Sequence, residues 1–336
     1  MRVALRRCAS GISLLGISLL GACGKYRDFT LPPQAGGPSV TWRWQARAEP
    51  VMTRGARGEW DAVDVLNPSV IRQGDAYYNF FSGYDGKTWH TGLAVSGDGV
   101  SWHKEGRILS PDPATWEGSA IAANGSALSD NSGVLYYYQA GDDLVQIGLA
   151  RSGNGHQFVK NGPPVLPAGP YGSWDERGVA DPYVIRAGGR YFLFYLGMDR
   201  ARRQRLGVAE SQDGVRWYKL RANPILELGE YGAFDERGLG EPAVWVSRGY
   251  YWMLYTGRDR NEVRRLGMAR SRDGVRWEKL SMVVAGGEAW NSKVMCDPAV
   301  IANRDAVTVW FGGGDVARPD QNIHGQIGLG QLTATN

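Results

Sequence analysis

Residues 234–280 read FDERGLGEPAVWVSRGYYWMLYTGRDRNEVRRLGMARSRDGVRWEKL. Turn residues cut this stretch into four short segments rich in Tyr, Trp, Val and Leu, the residues that suit a half-buried sheet surface. Its second segment ends in Gly-x-Asp at Gly257 and Asp259, and its third is centred on Gly267. The same order occurs in four other places. Gly-x-Asp returns at Gly83/Asp85, Gly141/Asp143, Gly197/Asp199 and Gly313/Asp315, followed by TGLAVS, IGLARS, LGVAES and IGLGQL. Asp-Gly turns recur at Asp98-Gly99, Asp213-Gly214 and Asp273-Gly274, with Asn154-Gly155 in the second copy. Such pairs tolerate positive φ and close tight hairpins.

The copies open on Trp60, Trp116, Trp174, Phe234 and Trp290, in steps of 56, 58, 60 and 56 residues. Five four-stranded units repeated radially predict an all-β fold, a five-bladed β-propeller. The step is too long for a WD-type repeat of about 40–45 residues. The fifth copy stops after IGLGQL, and its missing strand stands at the other end of the chain. TWRWQARAEP (41–50) resembles VRWYKLRANP (215–224) of the third copy. The N-terminal strand is therefore expected to close the ring, with Trp42–Trp44 alongside Ile327–Leu329.

Three segments follow: a leader over 1–22, a flexible tether over 23–38 rich in Pro and Gly, and a propeller domain over 39–336. The leader joins a basic start (MRVALRR) to an apolar stretch too short to span a bilayer, and ends in Leu20-Gly21-Ala22-Cys23. It resembles the bacterial lipobox, which implies lipidation of Cys23 and anchoring in the cell envelope, at the outer membrane or cell surface. The formal charge of +4 owes three units to Arg2, Arg6 and Arg7 of the leader. Little net charge remains, so nucleic acid is not an expected partner. Of the three cysteines, Cys8 leaves with the leader and Cys23 carries the lipid. Cys296 has no disulfide partner and reads as a small buried residue.

Seven residues after the opening aromatic stands an acid or amide followed by Pro, at Asn67, Asp181, Glu241 and Asp297, and in the second copy Asn124 takes the place one residue later. First strands of propeller blades line the axis, so these five side chains are expected to converge at one mouth of the channel. Crowded carboxylates repel, and some should keep their protons near neutrality, as general acids must. Trp60, Trp116, Trp174 and Trp290 are expected to offer faces on which sugar rings stack. Asp64 is set apart because the matching positions in three other copies are Gly178, Gly238 and Val294.

DPxVI in the first strand, an aromatic second strand ending in Gly, and GLAxSxDGVxW together resemble the five-bladed propeller glycosidases over about residues 40–336. Glycoside hydrolase family 43 is the nearest, with families 32, 68 and 130 related in fold. The resemblance implies a monomeric enzyme acting on an oligosaccharide or polysaccharide without a required cofactor. It matches Glu241 to the family's general acid and Asp181 to its auxiliary acid. Blade one departs, because Asn67 stands where a base is expected and an amide cannot take a proton from water. Either Asp64 supplies the base of an inverting pair, at a separation of roughly 6.5–9.5 Å, or hydrolysis is lost. In the second case the propeller is a glycan or protein binder. The Asn-Pro start is similar to family 130, whose members cleave with phosphate. His324 falls where some relatives place a histidine beside an axial calcium.

Overall fold

The computed structural model describes residues 25–38, 40–303, 305–318 and 320–335. Cys23 and the leader lie outside them. Among the described residues no helix is long and apolar enough to cross a membrane. The strands fall into five blades. Blade one runs through Asp64–Leu66 with Val70–Gln73, Ala76–Tyr84, Trp89–Ser96 and His103–Leu109. Blade two comprises Ile121–Asp130, Gly133–Ala140, Gln146–Ser152 and Val159–Lys160. Blade three comprises Gly178–Ala187, Arg190–Met198, Gln204–Ser211 and Tyr218–Leu220. Blade four comprises Gly238–Ser247, Tyr250–Arg258, Arg264–Ser271 and Trp277–Val284. In blade five, Val294–Ala302, Ala306–Gly314 and Gln326–Thr335 are followed outward by Thr41–Ala46, antiparallel on the last strand.

The register of that outer pairing differs from the expected one. Trp42 faces Ala334 and Trp44 faces Leu332, while Ile327 meets Met52 further along the incoming chain. The pairing slides so that Trp42 packs edge-on against Trp252 and Trp245, at 5.4 and 6.0 Å between ring centroids, in the seam between blades four and five. Neighbouring blades also touch where each third strand begins, through short parallel steps such as Trp89 beside Ile121, Gln204 beside Gly238 and Arg264 beside Val294.

The repeat's glycines and acids now acquire reasons. Trp60 covers Gly83 and Gly92, Trp174 covers Gly197 and Gly207, Phe234 covers Gly257 and Gly267, and Trp290 covers Gly313 and Gly328, leaving no room for a Cβ. The acid after the opening aromatic is buried and paired inside its own blade: Asp61 with Lys104, Glu117 with Lys160, Asp175 with Lys219, Asp235 with Lys279. A buried carboxylate without such a partner would be strongly destabilising.

The expected flexible tether is instead a strap. Tyr26–Arg27 pairs parallel with Tyr218–Leu220, at the outer edge of blade three. Leu31 donates its N–H to the Asp273 carbonyl, Gln34 to Arg272 and Gly36 to Gly249, across the turns opposite the Gly-x-Asp ends. Leu31 is fully buried against Gly274. In other seams a large ring fills that place: Tyr78 lies on Gly155, Tyr137 on Gly214 and Trp310 on Gly99. Between blades three and four the strap provides the plug, which is why a Pro- and Gly-rich stretch is ordered here.

Candidate functional site

The five aligned residues share one unusual backbone conformation. φ is +48° at Asn67, +47° at Asn124, +48° at Asp181, +49° at Glu241 and +51° at Asp297. Left-handed backbone costs an L-residue roughly 1–2 kcal/mol, and Asn and Asp tolerate it best. Glu241 has no such allowance, and strain of this sort collects at functional sites. The strand pairing skips here, between Ala180 and Tyr183, Gly240 and Ala243, and Cys296 and Ala299. Proline supplies no N–H to the ladder at the same point, so the bulge leaves few donors unpaired.

The consequence is convergence. Asn67, Asn124, Asp181, Glu241 and Asp297 together line a cavity of about 370 Å³ at the axis. On their other side the following residues, Pro68, Gly125, Pro182, Pro242 and Pro298, close a space of only about 30 Å³. The ring is thus the floor of the cavity. Its N–H groups find partners around the ring. Asn124 donates to Ser82 Oγ at 2.9 Å, Asp181 to Gln139 Oε1 at 3.1 Å and Asp297 to Thr256 Oγ1 at 3.3 Å, each from the preceding blade. Blades three and five carry Leu196 and Gly312 at the place of Thr256, with no polar side chain. There the floor carboxylates substitute: Asp181 accepts the Glu241 N–H, and Asp297 accepts the Asn67 N–H at 3.2 Å. Asp297 also accepts the Asn67 amide at 2.7 Å, and its own N–H reaches Glu241 Oε2 at 3.3 Å.

Charge is compressed on three adjacent blades. Burial, and then the neighbouring Glu241, pushes the Asp181 carboxyl up to about 8. Burial and Glu241 likewise drive Asp297 well above the usual carboxylate range. The Cys296 thiol donates to Asp297 at 3.0 Å, and burial followed by the Asp297 charge pushes it far above a free thiol. Among the described residues, Glu241, Cys296 and Asp297 are the group whose ligand atoms lie within 4.8 Å of one another. A metal there would first have to displace the thiol and carboxyl protons. The same closeness leaves Asp297 too near Glu241 to serve as its partner across an inverting gap of about 6.5–9.5 Å.

Several expected site residues stand elsewhere. Asp64 is fully buried and does not line the cavity. Its carboxylate accepts the N–H groups of Asn322, Ile323 and Gly325 at 2.5, 3.0 and 2.7 Å, so it holds a blade-five loop and is not placed to activate water. Trp60, Trp116, Trp174 and Trp290 do not line the cavity either. They are spent on the blades: Trp116 donates to the Gly162 carbonyl at 2.6 Å and Trp290 to the Ala48 carbonyl at 2.8 Å. His324 pairs with Asp315 at 2.7 Å in a half-exposed position away from the axial cavity.

Sequence reading missed the cavity walls. Trp89, Val145, Gln204 and Arg264 line it, each three residues before the central glycine of a third strand. Asp142, Met198 and Arg258 line it from the middle of Gly-x-Asp. Both registers were visible in the repeat and differ in every blade. Trp89 is the aromatic face the site does possess, stacked on Tyr84 at 4.8 Å. Arg258 and Arg264 bring two cations to the carboxylate side, and both pair with Asp320.

A model of the glycosyl hydrolases family 32 N-terminal domain matches residues 69–223. An uncharacterized protein of Mycobacterium tuberculosis, MT1551, is 27% identical over 233 residues, 63% of this chain and 75% of that protein. Among solved structures, a β-1,2-mannobiose phosphorylase from Listeria innocua superposes with a TM-score of 0.69 at 10% identity, over 87% of this chain and 97% of its own. A thermostable family-43 glycoside hydrolase gives 0.61 at 15% identity, over 82% and 91%. The shared feature is the five-bladed propeller.

Proposed function

We propose that this glycosidase-like propeller acts on glycans by protonating a glycosidic oxygen from its axial carboxylates. The observation that carries this reading is the cavity floor, where Asp181, Glu241 and Asp297 adjoin and burial keeps protons on the two aspartates near neutral pH. A general acid must hold its proton at the working pH. Glu241 is the donor: it lies between the aspartates and alone in the series has the extra methylene. Its proton passes to the leaving oxygen as the bond from that oxygen to the anomeric carbon breaks. Asp181 and Asp297, which hold their protons beside it, supply the one it transfers.

Hydrolysis also needs a base to take a proton from the attacking water. Blade one offers Asn67, and Asp64 is committed to the loop at 322–325. This favours a second reading, in which the attacking group is an already ionised oxyanion such as phosphate and no base is required. Purified protein incubated with oligosaccharides, with and without phosphate, separates the two by its products: free reducing sugar or glycosyl phosphate. Glu241→Gln is expected to lower either activity by about 10²–10⁴-fold on substrates with poor leaving groups. If no bond is cleaved but a glycan binds, the propeller is a binding protein. We further propose that the protein is exported and held to a membrane by lipid on Cys23. Cys23→Ser is then expected to leave the membrane fraction, and retention there would remove the anchor.

A further inference from the structure

Among the described residues, the other buried cations have a buried partner within their own blade: Lys219 meets Asp175 and Arg205 meets Asp199. Arg264 breaks the pattern. Its side chain is 5% exposed and lines the axial cavity, yet its partner Asp320 is 61% exposed and comes from another blade. The contact is Nη2 to Oδ1 at 2.6 Å, while Arg264 Nε is buried with no hydrogen-bond partner. Arg258, 19% exposed, reaches both oxygens of the same carboxylate at 3.1 and 3.2 Å, and Glu262 at 3.2 Å. One carboxylate thus spans two guanidinium groups at the cavity wall, as the planar fork of arginine favours. It is delivered by the segment between the second and third strands of blade five, the longest such connection in the ring.

We propose that Arg258 and Arg264 form a subsite for a compact oxyanion entering the cavity, either the carboxylate of an acidic sugar or free phosphate, and that Asp320 holds this place until the ligand displaces it. The inference rests on the glycan-acting reading and names the charge class of the ligand. A guanidinium this deep is costly without an anion, so exchanging one carboxylate for another oxyanion keeps both arginines paired. The exposed Asp320 regains water when it leaves.

Calorimetric titration of the purified protein with glucuronate, galacturonate and phosphate tests this, with glucose, mannose and arabinose as neutral controls. At least one of the three anions is expected to bind. Asp320→Asn, which removes the competing charge, is expected to bind it about tenfold more tightly, and Arg258→Gln at least about tenfold more weakly. Arg258 is chosen because it is the less buried of the two, and thermal melting of each variant identifies a loss of fold. A uronate that binds where phosphate does not assigns an acidic sugar, and the reverse assigns phosphate. The inference is overturned if no anion binds wild type or Asp320→Asn, or if folded Arg258→Gln binds as wild type does. Binding of a neutral sugar alone would overturn it while leaving the glycan reading in place.

Discussion

Asn67 and Asp297 close the ring of blades by two hydrogen bonds to one carboxylate, from the Asn67 side-chain amide at 2.7 Å and from its backbone N–H at 3.2 Å. The amide that takes the place of the expected base is therefore occupied as a donor. Restoring an acid here would set a carboxylate against a carboxylate. Asn67→Asp is expected to destabilise the fold by about 1–3 kcal/mol, the cost of leaving a buried polar group without its partner. The loss should be larger at pH 8, where repulsion adds, than at pH 5, where a shared proton relieves it. Thermal unfolding at the two pH values measures this, and an unchanged melting temperature would mean that the Asn67–Asp297 pair contributes nothing.

Asp181 makes the stability of the whole fold depend on pH in a stated direction. Its folded pKa is raised from 3.8 to about 8 by burial and by Glu241. Between those values the native state holds a proton that the unfolded chain has released. Stability from this group is therefore full below about pH 4 and falls as pH rises through 8. Asp297 is shifted in the same sense. Urea midpoints collected from pH 5 to pH 9 are expected to decline across that window, and Asp181→Asn should flatten the decline. A midpoint that rises with pH over the window would contradict the assignment.

Leu31 tests the strap. It is fully buried in the seam that large rings fill elsewhere. Leu31→Ala is expected to cost about 2–5 kcal/mol, the range for emptying a core leucine site. Exposure of residues 25–37 to protease should rise in the same variant. A cost below about 0.5 kcal/mol would mean that the strap is dispensable, as surface changes usually are.

The architecture was legible because a repeat exposes its own rules. Gly-x-Asp, the Asp-Gly turns and the nearly even step between opening aromatics each follow from packing inside one blade, and five copies make the pattern self-evident. The converging register was legible for the same reason: Asn67, Asp181, Glu241 and Asp297 each stand seven residues after their opening aromatic, and Asn124 stands eight after its own. Reading failed where a residue's partner belongs to another blade or to the far end of the chain. Asp64 stood out from the repeat, but its partners lie more than 250 residues away, in a loop with no counterpart in the other blades. The opening tryptophans stood out as aromatic, and only the structure shows Trp60, Trp174 and Trp290 covering glycines.

Sequence alone determined the fold class, the number of blades and the identity of the floor, because these depend on local hydrogen bonding and on a period counted along the chain. Tertiary structure alone decided which carboxylates share protons, that two arginines face them, and that the strap seals a seam. Those properties depend on distances and dielectric between segments far apart in the chain. A carboxylate's affinity for its proton is set by the groups within a few ångströms and by the water that packing excludes, and neither is written in the order of residues.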